Sequence, residues 1–87
     1  MEETDLLIRN DLIQEYKNRY GEDNWINNLT RNLRPSPNQA IADRYGVSKK
    51  RVIRVKHELW KMGVIMRRLG LANLLEPTEN VADVAGH

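Results

Sequence analysis

Apolar residues in the first third of the chain recur at helical rather than strand spacing. Leu6, Leu7, Ile8, Leu12, Ile13, Tyr16 and Tyr20 return every three or four positions, which predicts an amphipathic helix from Asp5 to about Tyr20. Thr4 is placed to cap its start and Gly21 to end it. Trp25, Ile26, Leu29 and Leu33 share one face of a second expected helix, from about Asn24 to Leu33, with Asp23 as its cap. Arg34-Pro35-Ser36-Pro37 then interrupts helix and strand alike. Ser36 is the expected cap of a short third helix from Pro37 to Tyr45. Pro37 falls at the first helical position, where a missing N–H costs nothing, and Gln39 stands three residues after Ser36, completing a capping box. Gly46 stops that helix, and Ser48 caps a fourth running from Lys49 to about Met62 before Gly63 ends it.

The stretch after Gly63 supports two readings. Its apolar residues suit two short strands turning near Gly70, or a fifth helix from Met66 to Leu75. From Thr78 onward the residues are small, polar and acidic, so 78–87 is expected to be a disordered tail. The expected fold is therefore mainly α: one domain over 1–77, built as a helix-turn-helix bundle of four helices with a small C-terminal β-wing, or all-α with a fifth helix. Within it, 5–33 supplies the N-terminal helices, 37–62 the helix-turn-helix, and 64–75 the wing or last helix.

Composition narrows the function. A chain of 87 residues holds one modest core. The absence of Cys excludes a disulfide framework, thiolate zinc, an iron–sulfur cluster and a cysteine nucleophile. No run approaches the ~20 apolar residues of a spanning helix, and the first residues, Met-Glu-Glu-Thr-Asp, are acidic where a secretion signal is basic. These features lead to the expectation of a soluble, unprocessed cytoplasmic protein.

The net charge of +2 conceals a strong asymmetry. Residues 1–30 carry seven acids and three bases, 31–70 eleven bases with only Asp43 and Glu58, and 71–87 three acids with no Lys or Arg. A basic centre between acidic flanks is the electrostatic footprint of a polyanion binder.

That basic centre has helix-turn-helix spacing from Asn38 to His57. Ala42 is the small residue where two steeply crossing helices approach, Gly46 tolerates the positive φ that opens the turn, and Ile41, Tyr45, Val47, Val52 and Val55 fall at buried positions. On the fourth helix Val52, Val55, Leu59 and Met62 form the buried stripe, with Lys50, Arg54, His57 and Lys61 opposite. In a major groove the amino-terminal half would present Ser48, Lys49, Lys50, Arg51, Ile53 and Arg54. Arg54 is suited to guanine and Ile53 to a thymine methyl, whereas His57 and Lys61 are placed for phosphate.

From Ala40 to Pro77, about 38 of the 87 residues, the chain resembles the winged-helix domain of GntR-type bacterial regulators. The resemblance is carried by Ile-Ala-Asp-Arg-Tyr-Gly-Val-Ser at 41–48, Val52, Leu59, Met-Gly-Val-Ile at 62–65, Arg67-Arg68, Gly70 and Pro77. It implies wing strands over 64–68 and 71–75, with Arg67 and Arg68 touching phosphate or the minor groove. Ala72 stands where that family has a second wing Gly, Leu69 and Leu71 make the tip more apolar, and no effector-binding domain is expected beside the motif. The motif is also broadly similar to sigma-factor DNA-binding regions and viral packaging proteins.

Other chemistry finds little footing. His57 and His87 have no partners at metal-ligand spacing. Asp11 and Glu15, four apart on a helix, suit a solvated surface better than acid–base work. Trp25 and Trp60 suit a core or interface better than base stacking. The expectation is a non-enzymatic, cofactor-free, sequence-specific binder of double-stranded DNA, associated with the nucleoid and acting as a small transcriptional regulator by site occupancy. Alternatives are a phage or plasmid packaging or partition protein, a protein–protein adaptor on the same fold, or, third, a binder of structured RNA. Neither a membrane nor a small-molecule substrate is expected as a partner. A homodimer is expected, with the apolar surplus of the first helix at its interface.

Overall fold

The computed structural model describes residues 2–75, and the tail expected over 78–87 lies outside the described residues. The described chain is mainly helical, with three α-helices, α1 (Glu3–Tyr20), α2 (Pro37–Tyr45) and α3 (Lys49–Arg68), then a 3₁₀ turn over Ala72–Leu75. No strand occurs among the described residues.

Helix α1 begins two residues before its expected start. Glu2, not Thr4, is its N-cap and makes no side-chain capping bond. Glu3 and Asp5 in the first turn and Lys17 and Arg19 in the last oppose the helix dipole favourably at both ends. Ile8, Leu12, Ile13 and Tyr16 are fully buried, while Leu6 and Leu7 are half-buried.

The helix expected from Asn24 to Leu33 does not form; 22–30 is a succession of turns. Its bonds mix spans of four and three, with Trp25 N–H to Gly21 and Asn28 N–H to Asn24 but Leu29 N–H to Ile26 and Arg31 N–H to Asn28. Asn28 also donates its side-chain amide to the Asn24 carbonyl at 2.7 Å, the local competition by which Asn disrupts a helical ladder. The apolar face nevertheless lands as its spacing predicts: Trp25, Ile26, Leu29 and Leu33 are all buried.

Helix α2 has its expected bounds. Ser36 accepts from Asn38 N–H at 3.2 Å, and Pro37 opens the helix. The reciprocal half of the capping box is missing, because the Gln39 amide reaches forward to Asp43 at 2.8 Å.

The largest departure is α3, which passes through Gly63 and ends six residues beyond Met62. An ideal Cβ on Gly63 would lie 2.8 Å from Ile26 Cγ2, so this glycine permits close approach of the 22–30 turns rather than terminating the helix. Val64 to Arg68, expected as the first wing strand, is its last turn. Termination falls to Gly70 (φ 72°), with Leu71 N–H bonded to the Met66 carbonyl at 2.8 Å and Gly70 N–H to that of Arg67 at 3.0 Å, a Schellman closure. The second expected wing segment is the 3₁₀ turn, which anchors Leu75 in the core. Neither the β-wing, nor a separate fifth helix, nor a fourth helix in the bundle is present among the described residues.

Candidate nucleic-acid interface

The turn before α3 is built by three residues. Gly46 adopts the left-handed conformation (φ 62°, ψ 37°), its N–H facing the Ala42 and Asp43 carbonyls. Val47 N–H returns to Ala42 at 3.0 Å, and Ser48 caps α3 by accepting from Arg51 N–H at 3.2 Å. Ala42 is fully buried with Ile41, Val52 and Val55, so α2 and α3 pack through the small residue that the spacing singled out.

Val52, Val55, Leu59 and Gly63 form the buried side of α3, with Met62 and Met66 half-buried beside it. At 100° per residue the opposite side carries Lys50, Arg54, His57 and Lys61, and continuation past Gly63 brings Arg68 into the same line. All five are exposed. From Lys50 to Arg68 the row extends ~27 Å at 1.5 Å per residue. Among the described residues no carboxylate pairs with Lys50, Lys61 or Arg68; Arg54 alone in the row is in an ion pair, with Nη2 3.4 Å from Asp5 Oδ2. Like charges four apart repel by a few tenths of a kcal/mol, a cost that an external anion would relieve. His57 lies against Trp60, ring centroids 5.9 Å apart.

The remaining expected contact residues divide into exposed and tied groups. Ser48, Lys49 and Ile53 are exposed at the amino-terminal end of α3. Arg51 is tied down: its Nε donates to Asp5 at 2.8 Å and its Nη2 lies 2.9 Å from Glu2. Hydrogen bonds to Asp5 and then Glu2 hold its guanidinium above its ordinary pKa. Arg67 is also turned inward, donating to the Asn27 side chain and the Asp23 carbonyl. The adjacent pair Arg67-Arg68, expected to act together on a wing, is divided by the helix: one arm clamps the 22–30 turns and the other faces outward.

No family model, curated protein or solved structure matches the chain.

Two cations absent from the expected site widen the basic surface. Arg34 and Lys56 line, with Lys49, Ile53, Asn32 and Asn38, an open cleft of about 330 Å³ beside the start of α3, and no carboxylate lines it among the described residues. Lys56 donates to the Tyr16 hydroxyl at 3.3 Å and is half-buried, so desolvation lowers its pKa. The charge count already held Arg34, but its place beside α3 depends on how the Pro35–Pro37 loop folds back. Elsewhere, Asp11 accepts from Arg44 at 2.6 Å and Tyr45 at 2.8 Å, while Glu15 pairs with Arg19 at 3.3 Å, so the two acids make separate contacts. Among the described residues no three His, Cys, Asp or Glu side chains group closely enough to hold a metal ion, and no helix is long and apolar enough to cross a membrane.

Proposed function

We propose that the chain binds double-stranded DNA through a helix-turn-helix formed by α2 and α3, and acts as a small transcriptional regulator by occupying its site. The observation that carries this reading is the row Lys50, Arg54, His57, Lys61 and Arg68, exposed along one side of α3 with so little internal charge compensation. A solvated helix face ordinarily mixes signs to gain pairing, whereas a face meeting a phosphate polyanion is favoured by one sign alone.

In this reading the amino-terminal half of α3 enters the major groove. Arg54 offers two donors to guanine O6 and N7, and Ile53 offers methyl contact to thymine. Ser48, Lys49 and Lys50 approach bases or the flanking phosphates. His57, Lys61 and Arg68 follow the helix outward to the backbone, with Arg34 at the edge of the basic surface. The helix-turn-helix half of the GntR-type resemblance is retained, and the continuous helix takes over from a wing.

Four to five phosphate contacts give a slope of log affinity against log salt of about −4, so binding to random duplex falls by roughly 250-fold between 50 and 200 mM salt. Lys50→Ala with Arg54→Ala removes about one unit of that slope through Lys50 and further affinity through the guanine contact of Arg54, and leaves the helical circular dichroism and melting temperature close to wild type. Undetectable duplex binding at ~50 mM salt by folded protein overturns the proposal and favours an acidic protein as the partner of this face.

A further inference from the structure

Among the described residues, four of the five large exposed apolar side chains fall between Ile65 and Leu74; the fifth, Ile53, is 43% exposed at the amino-terminal end of α3. Ile65 is 57% exposed, Leu69 64% and Leu74 62%, with Leu71 at 41%, whereas Ile8, Leu12 and Ile13 of α1 are completely buried. Met62 and Ile65 of α3 and Leu69 at its C-cap follow one another at spacings of three and four, the a/d interval by which one helix packs along another. This seam lies between the buried side of α3 and its cationic row. It exists because the helix continues through Gly63; strands over the same residues would have divided these side chains between two faces.

We propose that a second copy of this chain covers the seam, forming a two-fold homodimer through the carboxy-terminal third of α3. The sequence of the seam is self-complementary when two α3 helices run antiparallel about a dyad near Ile65, because Met62 of one copy then meets Leu69 of the other and the two Ile65 side chains meet near the axis. Ile65, Leu69, Leu71 and Leu74 together expose roughly 400 Å², the size of the largest apolar patch on a typical monomer, where such patches are often functional. This area is about half of the ~800 Å² that each partner contributes to a standard interface, in keeping with the usual apolar share.

The dyad has a consequence that rests on the DNA-binding reading. Arg54 lies eleven residues from Ile65, or ~17 Å along the helix, so two-fold copies of Arg54 stand ~34 Å apart, one turn of duplex DNA. The same contact that buries the seam spaces two reading ends for successive major grooves.

Dimerisation is tested without DNA, so its failure is distinct from failure of the DNA reading. Sedimentation equilibrium of the full chain at ~100 µM should give twice the 10.2 kDa chain mass, with little dependence on salt. Ile65→Glu with Leu69→Glu should return the mass to that of one chain while helical content is kept, since both positions are exposed. Because the chain has no Cys, Ile65→Cys adds one thiol near the dyad and should give a disulfide-linked dimer on mild oxidation, while Leu7→Cys on α1 should not. A monomer at ~100 µM, a dimer that survives the double substitution, or preferential cross-linking through Leu7→Cys overturns the proposal.

Discussion

Gly63 and Ile26 occupy space that admits no additional carbon between them: a Cβ on the glycine would sit 2.8 Å from Ile26 Cγ2 and 3.4 Å from Cγ1. Ile26 is 1% exposed and branched at Cβ, so it cannot swing aside as the end of a long chain would. Gly63→Ala should therefore destabilise by about 1–2 kcal/mol, although Ala is ~1 kcal/mol the better helix former. Ile26→Ala should cost about 2–4 kcal/mol. The pair should cost less than the sum of the two, a coupling that urea denaturation of the four proteins measures. A stabilising Gly63→Ala would mean that the approach is looser than described.

Asp5 holds Arg51 at 2.8 Å and reaches Arg54 at 3.4 Å, and so presents a carboxylate beside the proposed reading end of α3. Asp5→Asn removes a like charge from the path of incoming phosphates and releases Arg54. Affinity for random duplex at ~50 mM salt should rise by about two- to five-fold, while the melting temperature falls slightly as α1 loses a tie to α3. Fluorescence anisotropy with a labelled duplex measures the first effect. Unchanged or weaker binding would place this end of the helix away from DNA.

The αL turn at Gly46 makes a sharper demand than the helix ends around it. At φ 62°, ψ 37° any Cβ costs roughly 1–2 kcal/mol. Gly46→Ala should lose about that much in thermal or chemical unfolding, and Gly46→Asn less, because Asn tolerates the left-handed region. Open space around the position means that a larger loss from Ala would require a cause other than this backbone conformation.

Stability should decline at alkaline pH for an identifiable reason. Burial first, then the hydrogen bond to Asp11, raises the Tyr45 hydroxyl above its ordinary pKa of 10.0; burial, then Tyr20 and Glu15, does the same for Tyr16. Because the folded state holds these protons more tightly than the unfolded state, their contribution is complete below pH 10 and is lost as pH rises through the higher folded values. Lys56, lowered by desolvation, has the opposite sign and offsets part of that loss. Tyr45→Phe should flatten the fall in melting temperature between pH 9 and 11, and Lys56→Met should steepen it. An unchanged slope in Tyr45→Phe would remove that hydroxyl from the account.

The elements most legible in the chain are those whose signals are local. Pro37 to Tyr45 carries its cap, its first-turn Pro and its closing Gly within eleven residues, and forms with those bounds. The buried faces of α1 and of the Trp25–Leu33 stretch follow from spacing alone, even though the second of these is turns rather than helix. The amino-terminal end of the candidate interface was equally legible, since Lys50, Arg54, His57 and Lys61 need only the helical repeat to align.

What the sequence by itself determined is thus the α2–turn–α3 unit, most of the core and the sign of its outward face. Tertiary structure alone decided the length of α3 and the use of its arginines. Gly63 reads locally as a helix stop, but only the packing of Ile26 against it reveals a glycine chosen for close approach. Arg51, Arg54, Arg67 and Arg68 are alike in sequence. Their differing roles come from residues 2, 5, 23 and 27, which only the folded chain brings to them, because ion pairs and hydrogen bonds act over a few ångströms in space however far apart they stand along the backbone.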